Sequence, residues 1–208
     1  TEEWEEIVNR IGRWVDFRSG YRTMDRDYME SIWWVFRRLW NKGLIYQGNK
    51  ILPYCMRCAT PLSNFEANQA YEEVQDPSVT VRFQSVDTPN VYFLAWTTTP
   101  WTLPSNLALA VHPGIGYVRV QDDGVQYVLA EDRVAVYYGD EPPEVLEHLR
   151  GRDLVGRQYE PLFPYFSHLR DKGAFSIVEA DFVGTEAGTG LVHMAPGFGE
   201  DDHRVGLE

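Results

Sequence analysis

The 208 residues include only 2 cysteines, Cys55 and Cys58, and only 4 methionines, and apolar residues never run on for the ~18 positions that a membrane-spanning helix needs. Two thiols cannot staple a fold of this length. Stability must come from a packed core, which a chain that is 44% hydrophobic and 14% aromatic can supply. The start Thr1-Glu2-Glu3 lacks Met and has the wrong sign for a secretory signal, so the chain reads as a cytoplasmic piece of a longer protein without a membrane partner. Leu207-Glu208 reads equally as native sequence or as an appended tail. Cations are also short, with 19 Lys and Arg against 31 Asp and Glu, net −12. Non-specific affinity for nucleic acid comes chiefly from cations that neutralise phosphates, so binding through a broad basic face is excluded.

The shortage is uneven. Residues 1–50 hold 9 cations and 8 anions, net +1, whereas residues 51–208 hold 10 and 23, net −13, so two different pieces meet near residue 50. In the first, Trp4, Ile7, Ile11, Trp14 and Val15 recur at helical spacing, and so do Met29, Ile32, Trp33, Phe36, Leu39 and Trp40. Asp25 is placed to cap the second helix and Gly43 to end it. Two isolated amphipathic helices bury only their facing stripes, so these aromatics are expected to cover other parts of the parent protein and carry no chemistry.

Residues 51–75 form a connector that holds the cysteine pair. From 76 to 208 the pattern turns to short β-rich runs at 78–83, 91–97, 117–120, 125–129, 176–178 and 191–193, with Asp123-Gly124 as a hairpin signal. Segments 130–138 and 143–149 read as short helices. Short strands at irregular spacing, with helices between them, predict a mixed α+β or β-barrel domain rather than a repeating βαβ layout.

Two windows lack charge altogether. No Asp, Glu, Lys or Arg occurs from 88 to 118 or from 187 to 199. The first contains Trp96-Thr97-Thr98-Thr99-Pro100-Trp101-Thr102-Leu103-Pro104-Ser105-Asn106. The second contains Gly188-Thr189-Gly190-Leu191-Val192-His193-Met194-Ala195-Pro196-Gly197-Phe198-Gly199 and runs into Glu200-Asp201-Asp202. Each passes from a strand into a turn broken by Pro or Gly and furnished with hydroxyls or an imidazole. A strand-end reading accounts for Thr97–Thr99 by β-propensity alone, and His193 and Asp202 read equally as a core histidine and a helix N-terminal carboxylate. Against that stand four hydroxyls, two prolines and two tryptophans together, the wall chemistry of a small pocket. One carboxylate among neutral walls would hold an ammonium through a charge-assisted hydrogen bond at low dielectric.

Other chemistries are missing. There is no Gly-x-Ser-x-Gly elbow, and Gly188-Thr189-Gly190 lacks the glycine and lysine of a phosphate loop. Cys55 and Cys58 have the spacing of one knuckle of a four-thiolate zinc site, but no second knuckle follows. They read as a half-site completed elsewhere, as inert thiols, or as a redox pair.

The two windows resemble the threonine-rich and C-terminal motifs of the editing insertion of isoleucyl-tRNA synthetases. Pro53-Tyr54-Cys55-Met56-Arg57-Cys58-Ala59-Thr60-Pro61-Leu62-Ser63 and the stretch 28–43 are similar to the lead-in from that family's nucleotide-binding domain, so the resemblance covers essentially the whole chain. The valyl and leucyl relatives continue the threonine pair with Arg-Pro and an acidic residue. Thr99-Pro100-Trp101 departs from them towards isoleucine.

The resemblance implies a distorted β-barrel with peripheral helices, and hydrolysis of mischarged Val-tRNA(Ile), with valyl-adenylate as a second candidate substrate. It implies that Asp202 anchors the α-ammonium and that His193 crowds the side-chain pocket. It further implies that Thr97, Thr98, Thr99, Thr102 and Asn106 line the cavity, hold the terminal adenosine and orient water, that Trp101 adds an apolar wall, and that Ala195 belongs to the binding surface. No cofactor is expected in that site. Zinc would require donors from the parent protein beside Cys55 and Cys58. The implied partners are the aminoacylated 3′ end of tRNA(Ile), bound weakly by this piece alone, and the parent's remaining domains. No His-Ile-Gly-His or Lys-Met-Ser-Lys-Ser string occurs, so ATP use would belong to the parent. A non-catalytic tRNA-docking insertion and a zinc-ribbon nucleic-acid module are the competing readings.

Overall fold

The computed structural model describes residues 2–208 and divides into two compact units, Thr1–Lys50 and Ile51–Glu208. The first unit holds α1 (Glu2–Arg10) and α2 (Arg26–Asn41). α1 stops earlier than the apolar spacing through Val15 predicts. Gly12, at φ +81°, lets the Arg13 N–H turn back onto Val8 O at 3.3 Å, the bond pattern that closes a helix C-terminus. Gly43 ends α2 in the same way, with Leu44 N–H on Leu39 O at 3.1 Å. Asp25 does stand at the N-cap of α2, but its carboxylate accepts the Arg22 N–H of the preceding turn at 3.0 Å and makes no bond to the helix. No residue of α2 is buried; Trp33 and Phe36 meet edge to face at 5.9 Å on its surface.

The second unit opens with a two-stranded knuckle, β1 (Tyr54–Cys55) against β2 (Thr60–Pro61), and α3 (Asn64–Ala67), whose Ser63 and Glu66 form a reciprocal capping box. The main sheet follows: β3 (Val79–Gln84), β4 (Val91–Thr97), β5 (Ala108–Val111), β6 (Gly116–Asp122), β7 (Val125–Ala130), β8 (Glu144–Arg150), β9 (Ser176–Glu179) and β10 (Val192–Met194). Interspersed are α4 (Val134–Tyr138), α5 (Gly151–Leu154) and α6 (Glu200–Leu207). Asp123 and Gly124 both adopt positive φ, at +45° and +81°, as the tight β6–β7 hairpin requires.

β4 is the hub because both its edges are used. One edge pairs antiparallel with β3 over Tyr92–Thr97. The other is shared, with β7 parallel at Val91–Phe93 and β10 parallel at Trp96. A strand paired on both sides and covered on both faces needs a continuous apolar run, which Val91, Phe93, Leu94 and Ala95 supply. From β10 the sheet continues through β5 to β9. Residues 157–160 then close it into a distorted barrel. Val86 N–H donates to Gln158 O and Glu160 N–H to Gln84 O on the β3 side, while Tyr159 N–H donates to Phe175 O and Ile177 N–H to Arg157 O on the β9 side. The core inside this ring is built on Phe83, Phe93, Leu109, Tyr159, Phe175 and Ile177. Among the described residues no helix is long and apolar enough to cross a membrane.

Two strands depart from the sequence expectation. Residues 143–149 form β8 rather than a helix. The run Glu-Val-Leu-Glu-His-Leu has helical propensity, but antiparallel pairing with β6 and the Arg119–Glu147 ion pair at 3.0 Å override it at this sheet edge. β5 had no sequence signal of its own, because Ala108–Val111 lies inside the uncharged window without alternation.

Gly190 joins the hairpin to the β10 arm. Its carbonyl accepts from the Tyr117 hydroxyl at 2.7 Å, its φ is +80°, and a methyl there would collide with Ala130 Cβ. Gly190→Ala is therefore expected to destabilise the fold by ~3 kcal/mol or more, from positive-φ strain plus overpacking, as measured by urea unfolding.

Candidate active site

The cavity lies where β4 runs out. Thr97 is the last residue of the strand, and Pro100, which has no N–H, starts a 3₁₀ turn over Pro100–Ser105. Its three-residue period puts Thr99 and Thr102 on one side and Trp101 and Pro104 on the other. The hydroxyls form a ladder. Thr97 Oγ1 accepts the Thr99 N–H at 3.0 Å and lies 3.2 Å from Thr99 Oγ1, which lies 3.5 Å from Thr102 Oγ1. The Thr102 hydroxyl donates to Thr99 O at 2.8 Å. Thr97 and Thr102 are buried, while Thr98 and Thr99 are exposed at the mouth.

His193 comes from β10 and is 7% exposed. Nε2 lies 2.9 Å from Thr102 Oγ1 and Nδ1 lies 2.9 Å from Asn106 Nδ2. The Asn106 amide can be oriented in one way only, because Nδ2 also meets Ala108 O at 2.9 Å and Oδ1 accepts from the Tyr159 hydroxyl at 2.6 Å. Asn106 therefore donates to Nδ1, and the imidazole proton sits on Nε2, donating to Thr102. Burial lowers the His193 pKa from 6.5 to about 4, so the ring is neutral at physiological pH.

Asp202 lies in the first turn of α6, where the free backbone N–H groups favour carboxylates. Its Oδ2 accepts the Ala195 N–H at 2.7 Å. Burial nonetheless raises its carboxyl above the usual range, and the like charge of Asp201 adds to this while the Ala195 bond opposes it. Together these residues bound a cavity of about 340 Å³, whose wall is completed by Trp96, Val192, Phe198 and Gly199.

Most of the expected residues converge here: Thr97, Thr98, Thr99, Thr102, His193, Ala195 and Asp202 all line the cavity. Two do not. Trp101 is 67% exposed on the outer side of the 3₁₀ turn, and Trp96 supplies the aromatic wall instead. Asn106 stands behind His193 and reaches no cavity surface. Phe198 and Tyr159 were not foreseen; Phe198 lies within the second uncharged window, whereas nothing in the sequence around Tyr159 marks it.

The cysteines form a separate feature. The Cys58 N–H donates to Cys55 Sγ at 3.3 Å and lowers that thiol's pKa, while the Cys55 sulfur raises the pKa of Cys58. Among the described residues no group of three or more His, Cys, Asp or Glu converges. Two thiols are half of the donor set of a structural zinc site.

A buried neutral His193 makes the fold acid-sensitive. With its folded pKa below the unfolded value, the unfolded chain binds the proton first, so stability is lost as pH falls from 6.5 towards 4. His193 is expected to contribute a loss of about 2 kcal/mol between pH 8 and pH 5, read as the part of the urea-unfolding difference that His193→Gln abolishes.

The chain has relatives among known proteins. The family model described as tRNA synthetases class I (I, L, M and V) matches residues 1–187. The chain is 55% identical over 205 residues to the isoleucine–tRNA ligase of Bdellovibrio bacteriovorus, covering 97% of this chain and 19% of that protein. It is 49% identical over 208 residues to the probable cytoplasmic isoleucine–tRNA ligase of Dictyostelium discoideum, covering 99% and 20%. The chain thus spans about a fifth of the length of the curated relatives it matches. Among solved structures, that of GlLeuRS-CP1 aligns with a TM-score of 0.52 over 62% of this chain and 58% of that one at 17% identity, a likeness of fold. The chain shares the fold of GlLeuRS-CP1 over the aligned part, and it belongs to the class I tRNA synthetases of the I, L, M and V group.

Proposed function

We propose that the cavity is a hydrolytic editing site that clears valine from Val-tRNA(Ile). The observation that carries this reading is the Asp202 carboxylate, half-buried in a wall otherwise made of hydroxyls, apolar groups and a neutral imidazole. A charge raised in energy by burial is relieved by a cation, and the α-ammonium of an aminoacyl ester is a cation of the right size. The need for such a site is physical. One methylene in a hydrophobic pocket is worth only ~1–3 kcal/mol, a general figure for which isoleucine enzymes facing valine are the standard illustration. A second cavity that admits valine and excludes isoleucine removes the errors.

In this reading Asp202 holds the ammonium and the His193 ring limits the side chain. The ladder of Thr97, Thr99 and Thr102, with Thr98 at the mouth, orients a water against the ester carbonyl. The water oxygen bonds to the carbonyl carbon, the ester C–O bond breaks, and the proton passes to the departing ribose oxygen, leaving valine and a free 3′ end. His193 is a poor base for this step. Its Nδ1 lone pair is taken by Asn106 and its Nε2 already carries a proton. Catalysis is then positional, with no covalent enzyme intermediate.

Asp202→Ala is expected to lower kcat/KM for deacylation of Val-tRNA(Ile) by roughly 100-fold or more, the scale of losing a charge-assisted bond in a partly buried site. Full retained activity would remove the ammonium anchor from the mechanism, whereas a wild type without deacylation activity would favour a non-catalytic insertion. His193→Ala is expected to lower the preference for valyl over isoleucyl ester by ~10-fold or more, because the missing ring frees at least the volume of the extra methylene. An unchanged preference in a steady-state comparison of the two mischarged substrates would assign the size limit elsewhere.

A further inference from the structure

The residue that closes the barrel is also linked, through Asn106, to the imidazole in the cavity wall. Tyr159 is fully buried, with its ring edge-on to Phe83 at 5.1 Å and to Phe175 at 6.1 Å. A phenylalanine would fill that space equally well. The hydroxyl instead points at Asn106 Oδ1 from 2.6 Å, and burial, the largest influence on the phenol, raises its pKa and keeps it a donor. Asn106 is itself 5% exposed, and an amide oxygen there would be stranded without this partner.

We propose that Tyr159 is a positioning residue of the cavity: acting through Asn106, its hydroxyl holds His193 as the Nε2–H tautomer, in the one ring orientation that sets which side chain the cavity admits. The directionality follows from the donor inventory. Ala108 O can take only the amide N–H, so Oδ1 must face Tyr159. The second amide N–H then faces Nδ1, and the imidazole proton is left to meet Thr102 Oγ1. The Thr102 hydroxyl in turn donates to Thr99 O, so every group in the network has a partner. Turning the ring over would set carbons against Asn106 and Thr102 and leave two buried polar groups unpaired, so the orientation is locked.

The claim about side-chain size rests on the editing reading given above, whereas the tautomer can be read without any substrate. This chain, labelled with ¹⁵N at histidine, is examined by NMR as wild type, Tyr159→Phe and Asn106→Asp, and each form is assayed on the adenosine esters of valine and isoleucine. Wild type is expected to show His193 as a single Nε2–H tautomer. Tyr159→Phe keeps the aromatic packing but removes the donor. Its His193 is expected to show a second tautomer in exchange, with the valyl-over-isoleucyl preference lowered about tenfold, the worth of a methylene. Asn106→Asp keeps the shape but offers Nδ1 an acceptor, and is expected to reverse the tautomer to Nδ1–H. A wild-type His193 protonated on Nδ1, or a Tyr159→Phe form that keeps both the single tautomer and the wild-type preference, overturns the proposal. Failure of wild type to cleave either ester would instead overturn the editing reading, and the tautomers of the three forms would still decide the role of Tyr159.

Discussion

The cavity depends on the complete hydrogen bonding of one buried imidazole. His193 is separated by 91 residues from Thr102 and by 87 from Asn106, and both partners must arrive together, because a buried ring nitrogen or amide left unpaired costs as much as several good contacts supply. That requirement fixes the register of β10 between β4 and β5, where His193 stands opposite Leu109 and Val192 opposite Trp96. It also fixes the 3₁₀ turn after β4, since only the Thr99 and Thr102 side of that turn can meet the ring. The barrel is closed by the residue that completes this network, so the fold and the site are held by the same bonds.

Electrostatics then divides the labour within the cavity. His193 is kept neutral by burial, which leaves Asp202 as the one charged side chain among the lining residues at neutral pH. In the proposed reading, a lone carboxylate in a neutral wall selects for an amine. Desolvation works against that charge, and the hydrogen bond from the Ala195 N–H works for it. The net −13 of residues 51–208 surrounds this cavity, so in the proposed reading the phosphates of a tRNA must be met chiefly by other parts of the synthetase.

Much of this was legible in the sequence. The absence of charge from 88 to 118 and from 187 to 199 marked the two segments that build the cavity, because a buried wall cannot carry unpaired charge. β4 was readable as a continuous apolar run, and the β6–β7 hairpin as Asp-Gly between β-rich stretches. Other elements were not. β8 has the composition of a helix and becomes a strand only because β6 offers an edge, and β5 carries no alternation. Asp25 had the identity and place of a capping residue, but its carboxylate turned to the preceding loop, a choice between two nearby donors that composition does not encode.

The sequence by itself determined which segments are neutral, where threonine, histidine and aspartate stand in them, and that residues 76–208 are rich in short β-runs, since these follow from local composition and spacing. Tertiary structure decided which side of each element meets the cavity. The three-residue period of the turn sent Trp101 to solvent and left Trp96 as the wall, and the register of β10 placed Asn106 behind the imidazole rather than on the surface. It also decided the role of Tyr159, whose neighbours in sequence give no hint of it. The reason is that hydrogen-bond direction in a buried network is set by all its members at once, and those members lie on strands and turns that only the closed barrel brings together.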